Sequence, residues 1–137
     1  MNLANSKVSL NWFEAFLRGV GCNWLVGLAI WFSFASDSIL GKIAGIWWPI
    51  MTFVAIGFEH SIANAFFVPA GLIIGNSASY TGPLLNASWS SFLMNNLIPV
   101  TLGNIIGAAV FVSLTSWYLY SNKRSKDINS TTLKESA

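Results

Sequence analysis

Charge is nearly absent over most of this chain, and that feature constrains its fold more than any other. Of twelve charged residues, only Lys7, Glu14, Arg18, Asp37, Lys42 and Glu59 lie in the first 122 positions. Charged residues make up 9% of the 137 residues and apolar ones 54%, against roughly a quarter charged in an ordinary soluble domain. Too little charge is available for a solvated surface, so a water-soluble globular domain is excluded. A net charge of +2 without a basic stripe leaves no electrostatic footprint for nucleic acid. The single cysteine, Cys22, excludes a disulfide framework and a Cys-based zinc site. The single histidine, His60, excludes a bis-histidine haem. No cofactor is implied, and what remains is an all-α integral membrane protein.

A bilayer-spanning helix takes about 20 mainly apolar residues. Three stretches qualify: about 12–34, 39–74 and 97–120. Their apolar runs are continuous and too long for strands. Between the last two lies an uncharged segment, 76–96, rich in Ser, Asn and Gly and containing Pro83 and Trp89; it reads as a loop. The polar tail 123–137 reads as cytoplasmic and disordered. Lys123, Arg124 and Lys126 follow the third span, and Lys42 lies near the first turn. The positive-inside rule therefore places the tail and the Lys42 turn in the cytoplasm, and the long loop and Met1 outside.

The middle stretch has an awkward length. Its 36 residues would make one straight helix about 54 Å long, against a hydrocarbon core about 30 Å thick. Two spans and a turn would need more. Pro49 removes a backbone donor and Gly57 weakens a helix. Glu59 and His60 put an ionisable pair inside the apolar run, which by default marks a pathway or site. A middle helix broken near 54–58 accounts for all three observations. One half would run over about 42–53, and the second would start near Glu59. Irregular backbone at that depth is tolerated where it is packed in protein or lines a cavity, and a half-helix N-terminus suits a small anion.

The motif Gly57-Phe-Glu-His-Ser-Ile-Ala-Asn64 resembles the central motif of the formate/nitrite transporter family. Phe16-Leu-Arg-Gly19 and Cys22-Asn-Trp-Leu-Val26 resemble its fourth transmembrane helix. The block Gly41-Lys-Ile, Trp48-Pro49-Ile and Phe53 lies between them in family order, so that the resemblance covers about residues 7–120. It implies an aquaporin-like inverted-repeat helical bundle of six spans, of which this chain resembles helices 4–6, the second three-helix repeat. It implies a homopentamer with a pore in each protomer. The N-terminal repeat has no counterpart here. The expectation is a fragment of a longer protein, the other reading being separately encoded halves.

His60 reads either as a buried, hydrogen-bonded histidine or as a pathway group, and its place beside a helix break favours the pathway. The resemblance makes it the pore-centre histidine. With an ordinary pKa of about 6.5, it could attract a monovalent anion or pass it a proton; both roles stay open. Glu59 reads as a cap on the second half-helix. Asn64, four residues after His60, would share its helical face; it reads as a hydrogen-bond partner that fixes the imidazole tautomer or as a bridge between helices, and by resemblance it belongs to the histidine network. Asn23 reads as an interhelical hydrogen-bonding group or, by resemblance, a pore-wall residue, with Val26 one turn away. Phe53 reads as ordinary packing or, by resemblance, as part of an apolar constriction. Lys7 matches a family position at the outer mouth, and Arg18 reads as a surface partner of Glu14. Gly41-xxx-Gly45, Gly71-xxx-Gly75 and Gly103-xxx-Gly107 suggest close helix packing.

The function that the resemblance implies is transport of a small monovalent anion, such as formate or nitrite, either passively or coupled to protons, in a bacterial inner membrane. No nucleotide-binding motif is present. Two rivals stand beside it: a half-transporter or non-transporting assembly subunit, and a membrane enzyme subunit or cofactor anchor. The scarcity of ligating side chains weighs against the second.

Overall fold

The computed structural model describes residues 2–77, 80–82 and 84–121. The tail 123–137, with Lys123, Arg124 and Lys126, and the loop residue Pro83 lie outside the described residues. Those described are helical with connecting turns, and no strand occurs among them.

A short helix that hydropathy did not signal, α1 (Asn2–Val8), comes first. The helix α2 (Trp12–Phe34) starts where Asn11 accepts a hydrogen bond from the Phe13 amide at 2.9 Å. After a short turn, Ser38 caps α3 (Ile39–Ala55) by accepting from Gly41 N–H at 3.0 Å. Pro49 is buried inside α3 and does not end it.

The end of α3 is set by Gly57. The Gly57 amide donates to Val54 O at 3.2 Å and the Phe58 amide to Phe53 O at 2.9 Å. This paired pattern closes a Schellman motif, which needs a left-handed residue just beyond the helix. Gly57 supplies it with φ of +72°, and no non-glycine residue among those described has positive φ. The next helix, α4 (Ser61–Gly75), therefore begins two residues later than the Glu59 start expected, with His60 as its N-cap.

The last helix, α5 (Trp89–Ser121), begins inside the stretch read as loop. A reciprocal Ser88–Ser91 capping box starts it. Its ladder widens to π turns at Phe92–Leu97 and Ala109–Leu114. The first widening, in which Ile98 N–H reaches Leu93 O, lies just ahead of Pro99, whose ring and missing N–H disfavour a regular turn there.

Packing is close along α2 and α5. A Cβ on Gly103 or on Gly107 would collide with the carbonyls of Phe16 and Val20, so only glycine permits this approach. α3 lies along α2, whereas α4 packs against α1 and α5. Ala4, Val8, Val68, Leu72, Ala87 and Phe92 form a small core between α1, α4 and α5. Most other large apolar side chains point outward: Leu40 is 80% exposed and Ile62 76%. A surface this apolar is built to meet lipid or further protein. By length and composition, α2 and α5 are long and apolar enough to cross a membrane.

Candidate functional site around the helix break

The five residues between α3 and α4 carry the ionisable pair, and both ends of this segment are tied down by other helices. Glu59 is 3% exposed. Its Oε1 pairs with Lys7 Nζ at 2.8 Å. Its Oε2 accepts from Asn64 Nδ2 at 2.6 Å and from Asn96 Nδ2 at 3.3 Å. Asn64 also donates to Asn96 Oδ1 at 2.8 Å, and Asn96 to Lys7 O at 2.9 Å. A buried carboxylate is tolerable only when paired and hydrogen-bonded in this way. The expected capping role of Glu59 is corrected: its carboxylate bonds to the side chains of Lys7, Asn64 and Asn96, and the Ser61 amide at the start of α4 goes to Asn104.

Asn104 of α5 takes over that capping task. Its Oδ1 accepts from both the amide and the hydroxyl of Ser61 at 3.0 Å. Its Nδ2 donates to Gly19 O at 2.9 Å and to Glu59 O at 3.0 Å. One side chain thus joins α2, the interhelical segment and α4. The free N–H groups at a helix start need such partners when buried. Asn96 and Asn104 were not singled out from sequence. The signal available was an amide inside an otherwise apolar helix, where it usually bonds across to a neighbour.

His60 precedes the helix, with φ of −111° and ψ of 118°. The helical geometry that put Asn64 on its face does not apply. Asn64 N–H donates to His60 O at 2.9 Å, but its side chain goes to Glu59 and Asn96. The expected Asn64–imidazole bond is therefore replaced by the buried network. The His60 ring stacks on Phe53, with centroids 6.0 Å apart and planes 26° apart. Both face a recess of about 310 Å³, whose lining also includes Lys7, Asn64, Val54 and Phe67. His60 Nδ1 is buried and has no hydrogen-bond partner among the described residues.

Asn23 and Val26 sit in α2 and do not line this recess. Asn23 Oδ1 is buried without a partner among the described residues. The structure thus brings together His60, Phe53, Asn64 and Lys7, with Glu59 beside them at Lys7 and Asn64. Among the described residues, no three His, Cys, Asp or Glu side chains gather as a metal site would need. The arrangement can offer a small polar solute one imidazole and one ammonium in a mainly apolar hollow.

Comparison with known proteins agrees with the motif. Residues 1–118 match the formate/nitrite transporter family. A probable formate transporter of Methanothermobacter thermautotrophicus is 58% identical over 120 residues, covering 86% of this chain and 40% of that protein. A formate channel of Escherichia coli (strain K12) is 39% identical over 129 residues, covering 88% of this chain and 45% of the relative. A solved pentameric formate channel with formate bound superposes with a TM-score of 0.79 at 38% identity, over 87% of this chain and 50% of the other. The chain spans half or less of the length of these relatives. On motif, fold and sequence together, the chain belongs to the formate/nitrite transporter family.

Proposed function

We propose that this chain supplies one wall of a membrane pathway for a small monovalent anion of the formate or nitrite type, and that His60 is the group on which the anion's charge is managed. One observation carries the reading: the chain's lone histidine stands between α3 and α4, stacked on Phe53, with Nδ1 unpartnered among the described residues beside a mainly apolar recess. A bare anion is costly in such surroundings. A protonated imidazole would lower that cost by passing its proton to the anion, so that a neutral acid crosses the constriction at Phe53. Lys7, Asn64 and Glu59 hold this side of the pathway, and Asn23 and Val26 would line it further along α2.

On this reading α3 and α4 are two halves of one discontinuous span. At 17 and 15 residues each is about 22–26 Å long, short of a hydrocarbon core about 30 Å thick. They also pack against different neighbours, unlike the arms of a hairpin. The opposite wall would come from an inverted first repeat, five such protomers would assemble in the cytoplasmic membrane, and the tail 123–137 would lie in the cytoplasm.

The test is uptake of formate and nitrite into proteoliposomes by the native membrane assembly and its His60→Phe variant. Native uptake should rise as pH falls, and the variant should lose this component while its oligomer stays intact. Equal uptake by both at every pH would remove His60 from the mechanism. Uptake by neither would favour a non-transporting assembly subunit.

A further inference from the structure

Among the described residues, two side chains from outside the segment bond to the backbone that precedes His60. Asn104 holds one side, through Glu59 O. The other side is held by Arg18 of α2, which the sequence presented as the partner of Glu14 alone. Its guanidinium does two things at once: Nη2 meets Glu14 Oε1 at 2.6 Å, and Nη1 donates to Gly57 O at 3.1 Å. The Arg18 carbonyl in turn accepts from Glu59 N–H at 3.4 Å. Nearly one turn further along α2, a Cβ on Gly21 would collide with the Phe58 ring. Arg18 and Gly21 thus touch three consecutive residues, Gly57, Phe58 and Glu59.

We infer that Arg18 is a positioning residue for His60, acting through the Gly57 carbonyl, in the pathway proposed above. The Gly57–Phe58 peptide is the exit of the Schellman motif, and its orientation sets the direction in which Glu59 and His60 leave α3. Gly57 has an unusually free backbone; the Phe58 amide holds one side of this peptide plane through Phe53 O, and Arg18 holds the other through Gly57 O. Arg18 is suited to this because its planar fork can engage a carboxylate and a carbonyl together, which a lysine ammonium does less rigidly. The Glu14 carboxylate aims the fork. The charged groups around this contact are Glu14 on the same helix and Lys7 and Glu59 across a neighbouring cleft, where they pair with each other. If the contact were only an exposed i,i+4 ion pair, its loss would change any equilibrium by about twofold at most and would leave His60 where it is.

The experiment compares Arg18→Met, Arg18→Lys and Glu14→Gln in the native membrane assembly. Arg18→Met keeps the apolar stem and removes every donor. Its uptake should fall about tenfold or more, as for a lost hydrogen bond to a charged group, and its pH profile should flatten while the oligomer persists. Arg18→Lys should recover part of both. Glu14→Gln, still an acceptor, should stay within about twofold of the parent. Hydrogen exchange supplies a readout independent of transport: the Phe58 and Glu59 amides should exchange faster in Arg18→Met and not in Glu14→Gln. Equal effects of Arg18→Met and Glu14→Gln would reduce the contact to an ion pair and overturn the inference. So would unchanged exchange at Phe58 and Glu59 in Arg18→Met. Should the parent itself fail to transport, the proposed function falls, and the exchange data alone decide whether Arg18 holds the segment.

Discussion

Lys7 and Glu59 depend on each other unequally. Glu59 is enclosed, with a side chain 4% exposed, whereas that of Lys7 is 15% exposed and carries a flexible stem that can turn outward. Removing the cation strands a buried carboxylate, at a cost of about 3–5 kcal/mol. Lys7→Met should therefore lower the thermal midpoint of the purified protein more than Glu59→Gln does, and the double variant should recover most of the loss. Gly57 offers a second test. A Cβ there would find Arg18 Nη1 at 3.6 Å, so space is available and only the positive φ resists substitution. Gly57→Ala should cost about 1–2 kcal/mol, Gly57→Asn less, because Asn tolerates the left-handed region, and Gly57→Val more. Circular dichroism melts of the four proteins would give the order, and equal melts would mean that the turn is not held as described. These residues differ in how plainly sequence marks them. Glu59 and His60 stand out because charge is rare in the apolar run. Lys7 and Asn64 stand out too, but not as partners of Glu59, and Asn96 does not stand out at all, because the three meet only in the fold; an extended backbone at His60 removes the i+4 argument for Asn64.

At the scale of elements, the glycines of α5 make the clearest prediction. Gly107→Val should separate α2 from α5, since the new side chain meets the Val20 carbonyl, and overpacking of this kind costs about 1–3 kcal/mol. Ala109→Val, at an exposed position on the same helix, should leave the melt nearly unchanged; equal loss from both would point to the helix itself and not to the seam. That seam was legible as spacing, because Gly103 and Gly107 recur on one face. The start of α5 was not. Serines and asparagines dilute hydropathy over 86–96, yet Ser88 and Ser91 cap the helix and Asn96 is a buried contact. α1 escaped for a related reason: seven residues are too few for a periodic signal, and its helicity rests on packing Ala4 and Val8 against α4.

For the whole molecule, the expectation concerns what this chain does by itself. Reconstituted without additional protein, the 137 residues should give no formate uptake, and a version joined to a first repeat from a relative should restore it; native mass spectrometry of that version should give a mass of five protomers. Transport by the unjoined chain would mean that copies of it build the pathway between themselves. The lengths of α3 and α4 also bear on how such a chain enters a bilayer. A helix long enough to cross can be released into lipid as a finished unit, and α2 and α5 meet that condition. If α3 and α4 are halves of one span, as proposed above, neither crosses alone, and the carboxylate between them would enter hydrocarbon before Asn96 is in place. On the proposed discontinuous span, the middle of the molecule would have to wait at the insertion site, with α1 already made, until α5 arrives to complete the shield. Tertiary assembly and membrane entry would then be a single kinetic event for those residues, and a substitution at Asn96 or Asn104 should lower the yield of assembled protein before it changes transport by what does assemble.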